Sequence, residues 1–89
     1  MRRKLIAGNW KMNGLLADGV ALAAQVAERA KPRSHNCDIL ICPPFTLLVE
    51  AVRAVAGSAV AVGGQDCHAK VSGAHTGDVA PQMLTDLGC

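Results

Sequence analysis

The side chains best suited to chemistry lie close together near the start of the chain, where Asn9 and Lys11 follow a short apolar run. Residues two apart on a strand point to the same side. We therefore predict that this amide and this ammonium face one way, while Trp10 packs on the opposite face. A hydrogen-bond donor and a fixed cation at the end of a strand suit an anionic, oxygen-rich ligand such as a sugar phosphate.

Three segments with helical patterns follow this pair along the chain and must help to position it. Helices are predicted at 16–30, 45–56 and 82–87. In the first, apolar residues recur three and four positions apart, which predicts one buried face. That face comprises Leu16, Val20, Ala23, Ala24 and Ala27. Prolines mark the boundaries, because Pro32 ends the first helix while Pro44 and Pro81 favour the first turn of the others.

Strands alternate with these helices. They are predicted at 4–9, 37–42 and 59–65. The third is nearly all apolar, which predicts burial on both of its faces. Alternating strands and helices predict an α/β fold with right-handed βαβ units and a parallel sheet, whose functional residues lie at the carboxyl ends of the strands. The long polar loop at 66–79 is typical of a functional segment.

Three segments together point to a known family. They read AGNWKMNG at 7–14, CPPFTLL at 42–48, and GQD at 64–66 followed by GAHTGDV at 73–79. In this order and at about this spacing they resemble the triosephosphate isomerase family. The resemblance implies a (β/α)8 TIM barrel. Residues 1–89 would be the N-terminal part of that single domain, supplying the first three strands, two helices and the start of a third helix.

The same resemblance implies an activity of glycolysis and gluconeogenesis: interconversion of dihydroxyacetone phosphate and glyceraldehyde 3-phosphate through an enediolate, without metal or cofactor. Lys11 would stabilise negative charge and Asn9 would orient a substrate oxygen. Triosephosphate isomerase is itself a standard illustration of a Glu base paired with a neutral His. Both residues, and a closing loop, are expected beyond Cys89, so the 89 residues alone are expected to be inactive. None of His35, His68 and His75 is expected to replace that His.

The resemblance further implies a homodimer in the full-length enzyme, in which the long loop reaches into the partner subunit. Thr76 would support Asn9 of the partner subunit, Gly77 would allow a tight turn, and Asp78 would lie near an ion pair. Gln65 and His75 are expected at the same interface. Ala80 stands where the family often has a Ser that caps the third helix.

Composition limits the other possible functions. The net charge is +2, and no nucleic-acid motif or aromatic residue accompanies the basic start of the chain. No run approaches the roughly 20 apolar residues of a membrane span, and no signal-peptide core follows the N terminus. We therefore expect a cytoplasmic protein with no nucleic-acid or membrane partner. Its four cysteines match no common zinc spacing and are expected to be reduced thiols.

A binding module and a nucleotide-binding domain are the two alternatives to an isomerase. A non-catalytic module that binds phosphate or pairs with full-length subunits is one alternative, but three strands of an unclosed barrel leave two unpaired edges and an apolar inner face. A doubly wound nucleotide-binding domain is another. It requires a glycine-rich phosphate turn after the first strand, and residues 8–11 have neither the G-x-G-x-x-G nor the Walker pattern.

Overall fold

Three parallel strands form the sheet of this protein. The computed structural model describes residues 2–33 and 36–89, and in it the strands lie in the order β1-β2-β3. They span Lys4–Asn9 (β1), Cys37–Cys42 (β2) and Val60–Val62 (β3). Asn9 is paired with Cys42 and Ile41 with Val62, so the carboxyl ends of all three strands meet at one edge. The predicted parallel α/β arrangement is confirmed.

Helices connect these strands on one side of the sheet. They span Leu16–Ala30 (α1), Leu48–Ala54 (α2) and Pro81–Leu87 (α3). The predicted second helix at 45–56 is wrong at both ends. At the start, Phe45–Leu47 forms a 3-10 turn. At the other end, Ala56 N donates to Arg53 O at 3.3 Å, a carbonyl three residues earlier rather than the four of an α-helix. Gly57, with φ of 78°, then turns the chain away from the helix.

Small side chains let α1 pack closely in the core. Its buried residues are Gly19, Ala23, Ala27 and Ala30. A Cβ at Gly19 would lie only 2.8 Å from Leu47 Cδ1, so glycine makes room for that leucine. The predicted buried face is wrong at Leu16 and Ala24, which are exposed. The face that packs in the described chain is instead the one formed by Gly19, Ala23, Ala27 and Ala30, three and four positions apart.

The third strand is shorter and less buried than the predicted 59–65. It pairs with β2 over Val60–Val62, and Gly63 N adds one bond to Ile41 O at 2.9 Å. Val60 and Val62 are buried whereas Ala61 between them is exposed, so the prediction of two buried faces is wrong. The physical reason is that no further element of the described chain covers the second face of the sheet.

The first strand is also open to solvent. All six of its residues are exposed, including Leu5 at 59% and Ile6 at 57%. This agrees with the expected unpaired edge and apolar face of an unclosed barrel. Within residues 2–33 and 36–89, no helix is long and apolar enough to cross a membrane. The expectation made for His35 lies outside the described residues.

Candidate active site at the carboxyl ends of the strands

Asn9 and Lys11 lie where β1 ends, and both are exposed. The backbone N–H of Lys11 donates to Asn9 Oδ1 at 2.8 Å, which leaves the NH2 group of the asparagine able to donate. The strand ends at Asn9, and Lys11 has φ of 58°. Lys11 therefore lies outside the strand. The prediction that strand alternation points the Asn9 and Lys11 side chains to the same side is wrong. A local hydrogen bond, rather than a two-residue strand period, joins the pair.

Gln65 joins the ends of the strands around this pair. Its Nε2 donates both to Lys11 O and to Cys42 O, each at 2.8 Å. One amide thus connects the segment after β1, the last residue of β2 and the segment after β3. Sequence reasoning assigned Gln65 only to a subunit interface. Its separation of 54 positions from Lys11 explains why no local pattern indicated this contact.

Trp10, between Asn9 and Lys11, packs its ring against the core, as expected. Its backbone N–H donates to Cys42 O at 3.1 Å. Asn13 Nδ2 donates to Trp10 O at 2.9 Å, and Gly14 follows with φ of 113°. The segment carrying Lys11 is therefore held by backbone bonds, a packed ring and a glycine turn.

The long loop presents the remaining predicted residues. His75, Thr76, Gly77 and Asp78 are exposed, and Gly77 has φ of 92°, which agrees with its predicted turn. Asp78 N donates to His75 O at 3.0 Å. The Asp78 carboxylate lies 3.8 Å from His68 Nε2. Gln65 is exposed as well, but its amide is bonded to Lys11 O and to the end of β2.

The loop also forms a cluster that sequence reasoning missed. The rings of His68 and His75 stack with centroids 3.9 Å apart and planes inclined by 25°. Together with Asp78 they place three ligand atoms within 4.8 Å of one another. Two histidines and an aspartate in one polar loop are a recognisable signal, although their spacing along the chain matches no common metal-binding pattern. Of the side chains described here, these three are the ones suited to hold a metal ion.

Two thiols adjoin the strand ends. Burial raises the pKa of the Cys89 thiol above its ordinary value, and the proximity of Cys42 raises it further because two thiolates repel each other. All four cysteines are free in the structure. Cys89 is therefore a poorer nucleophile near neutral pH than an ordinary exposed thiol.

The geometry at the strand ends suits anion binding. A lysine and an amide donor lie at one edge of the sheet, on a segment fixed by hydrogen bonds to neighbouring strands. These bonds fix the backbone that carries the Lys11 side chain, and a positive charge on a preorganised segment can stabilise negative charge on an anionic ligand. Four acidic side chains lie on helices: Asp18 and Glu28 in α1, Glu50 in α2 and Asp86 in α3. Of these, Asp18 lines a cavity together with Trp10, Asn13 and Gly14 of the segment after β1.

Comparisons with known proteins show the family to which the chain is similar. Residues 4–89 match the family model for triosephosphate isomerase. The triosephosphate isomerases of Granulibacter bethesdensis and Afipia carboxidovorans are 51% and 56% identical over 86 residues, which is 97% of this chain and 34% of each relative. The crystal structure of triosephosphate isomerase from Bartonella henselae has a TM-score of 0.87 at 39% identity, covering 99% of this chain and 35% of that one.

This chain spans about a third of the length of the relatives it matches. Its parallel βαβ units are those of a partial (β/α)8 barrel. Because the family match covers all three strands and both loops described above, the chain belongs to the triosephosphate isomerase family.

Proposed function

We propose that this chain is the N-terminal third of a triosephosphate isomerase, which interconverts dihydroxyacetone phosphate and glyceraldehyde 3-phosphate. The observation that carries the proposal is the hydrogen-bonded placement of Asn9 and Lys11 at the carboxyl end of β1, the edge where (β/α)8 enzymes build their active sites. The names of the relatives supply the reaction.

In this proposal Lys11 and Asn9 act on the substrate directly. The Lys11 ammonium attracts the phosphate dianion and stabilises the negative charge that develops on the substrate oxygen in the enediolate. The NH2 group of Asn9 donates to a substrate oxygen and orients it, while its Oδ1 is occupied by the Lys11 N–H. Both are electrostatic contributions from groups that are already in position before the reaction.

Proton transfer in this family uses a general base and an electrophilic histidine, which by the family pattern belong to the other two thirds of the barrel. We therefore expect the purified 89-residue chain to have no measurable isomerase activity. Turnover by this chain, free of host enzyme, would contradict that part of the proposal.

We also propose that the complete enzyme is a cytoplasmic homodimer that needs no cofactor. The exposed loop supports the dimer, because its Gly77 turn leaves Thr76 exposed for a contact with the partner subunit. Thr76 would bond near Asn9 of the partner subunit, with His75 and Asp78 beside it. Gln65, at the base of the same segment, would stabilise the interface from within its own subunit.

A full-length chimera provides the test. In it, this chain replaces the matching 86 residues of the Granulibacter bethesdensis enzyme. We expect the chimera to be active and Lys11→Met to lower kcat/KM by about 100-fold or more, as loss of a positioned charge-stabilising group does in other enzymes. Lys4→Met is the matched control, because it removes the same charge from the opposite end of β1. We expect it to leave kcat/KM nearly unchanged.

A folded chimera without isomerase activity would overturn the proposed function, as would equal effects of the two substitutions. If that chimera bound inorganic phosphate at Lys11 without isomerising triose phosphates, a phosphate-binding module would be the better interpretation. Circular dichroism of each variant separates loss of folding from loss of chemistry.

A further inference from the structure

One half-buried histidine lies at the base of the long loop, and the proposed function gives it no role. The side chain of His68 is 25% exposed, whereas all of residues 69–78 after it are exposed. Its backbone N–H donates to Val79 O at 2.8 Å, so the two ends of this exposed segment are joined. We propose that His68 is a positioning residue of the dimer, which holds the loop in the shape that docks on the partner subunit.

The His68 ring contacts three separate parts of the loop. Its Nδ1 accepts a hydrogen bond from Lys70 N at 2.9 Å. The ring stacks on His75 with centroids 3.9 Å apart and planes inclined by 25°. Because Nδ1 accepts, neutral His68 carries its proton on Nε2, which lies 3.8 Å from Asp78 Oδ2. One side chain therefore joins the start of the loop to its last turn.

Glycine makes the stack of the two rings possible. Gly73 has φ of 143°, and a Cβ there would lie 2.9 Å from His75 Cδ2. A side chain at position 73 would therefore displace the His75 ring from His68. The shape of the loop thus depends on contacts among its own residues, as in other compact loops whose ends lie close together.

These contacts fix the residues on both sides of Thr76. Asp78 N donates to His75 O at 3.0 Å, which closes a four-residue turn with Thr76 in its second position and Gly77 in its third. His68 contacts the first and the last residue of this turn. The place of Thr76 relative to the base of the loop is therefore determined through His68.

This inference rests on the proposed homodimer, in which Thr76 bonds near Asn9 of the partner subunit. A loop that is disordered in the free subunit loses conformational freedom when the subunits associate, and this loss of entropy opposes binding. A loop that is already held by His68 loses less. His68 should therefore raise the affinity between the subunits without touching the partner, and it does not have to be exposed in the dimer.

The dimer dissociation constant of the full-length chimera, measured by analytical ultracentrifugation, tests this role. We expect His68→Ala to raise the constant about tenfold, the combined size of one hydrogen bond and one ring stack. On dilution, the isomerase activity of this variant should therefore fall at a higher protein concentration than that of the parent, and it should return when the protein is concentrated again.

Two conservative variants separate the contacts of His68. His68→Phe keeps a ring for the stack on His75, and His68→Asn keeps an acceptor for the N–H of Lys70. Each should restore part of the affinity that His68→Ala loses. If His68→Ala fails to fold, these two variants decide, and dissociation constants equal to that of the parent would overturn the proposal.

Val26→Ala is the matched control, because it shortens a partly buried side chain of α1, which is not part of the loop. It should lower the free energy of unfolding and leave the dissociation constant unchanged. Equal increases of the constant in His68→Ala and Val26→Ala would overturn the proposal, as would the absence of any recovery in His68→Phe and His68→Asn.

The activity of the concentrated parent chimera tests the isomerase separately. An active dimer whose dissociation constant does not change in His68→Ala would refute the role of His68 and leave the proposed function standing. A parent chimera that is monomeric would refute both the proposed dimer and this inference.

Discussion

The most unusual residue of the site is Lys11, a non-glycine residue with φ of 58°. This left-handed conformation is costly for residues with a Cβ, and it persists where surrounding contacts determine it. Here the Lys11 N–H is bonded to Asn9, and its C=O accepts from Gln65. The backbone of the proposed catalytic lysine is thus held by the side chains of two other site residues.

Gln65→Glu tests this restraint in the chimera. The carboxylate cannot donate, and it would face two carbonyl oxygens that now accept from Nε2. We expect the free energy of unfolding to fall by about 1–2 kcal/mol near neutral pH, since each lost hydrogen bond costs about 0.5–1.5 kcal/mol net. Urea unfolding measures the change. The loss should diminish as acid protonates the introduced carboxylate, because the protonated group can donate again.

Gln25→Glu is the matched control, because it makes the same chemical change on the exposed surface of α1. An equal loss of stability in both variants would show that Gln65 does not stabilise the turn through its amide.

Helix α3 begins without a side-chain cap, as α1 and α2 do, and it is the one of these three with no acidic residue in its first turn. Pro81 occupies its first turn, but the N-cap is Ala80, whose side chain makes no capping bond. Ala80 already has the extended conformation of an N-cap residue, with φ of −82° and ψ of 154°. The backbone is therefore ready for a capping side chain that alanine does not provide.

Ala80→Ser should stabilise the chimera by about 1 kcal/mol, because its hydroxyl can accept from an N–H of the first turn. Thermal unfolding measures the gain. Ala24→Ser on the exposed face of α1 is the control and should slightly destabilise, since serine in a helix interior is less favourable than alanine. A lower unfolding temperature for both variants would show that the N-cap position, where Ala80 is buried, cannot accommodate the hydroxyl.

At the scale of the whole molecule, the sheet is covered by helices on one side and open elsewhere. Leu5 and Ile6 point to opposite faces of β1, yet both are more than half exposed. Burying such a side chain contributes about 1.5–3 kcal/mol. The open edge therefore favours association with the other strands of a barrel or, without them, with itself.

Mixing the chain with the remaining two thirds of the Granulibacter bethesdensis enzyme should reduce its self-association and produce isomerase activity. Ile6→Asp should make the chain alone more soluble but prevent this complementation, since a charge cannot be buried in the completed barrel. Light scattering and the isomerase assay measure the two effects. Ala24→Asp, a change on the exposed face of α1, should leave complementation intact. Equal complementation by both variants would contradict the proposed role of β1.

Local patterns were sufficient for much of this architecture. The bounds of α1, β1 and β2 were predicted as they occur, because proline boundaries and the spacing of apolar residues act over a few positions. The position of Asn9 at a strand end followed in the same way, and the family followed from short motifs such as AGNWKMNG.

The sequence by itself therefore determined the order of elements, the family and the strand end that carries the site. Only the tertiary structure decided the left-handed turn at Lys11, the bridge from Gln65 and the meeting of His68 with Asp78. It also decided which strand faces stay exposed. These features depend on contacts between distant residues, and burial depends on which neighbours are present, so neither can be deduced from the spacing of residues along the chain.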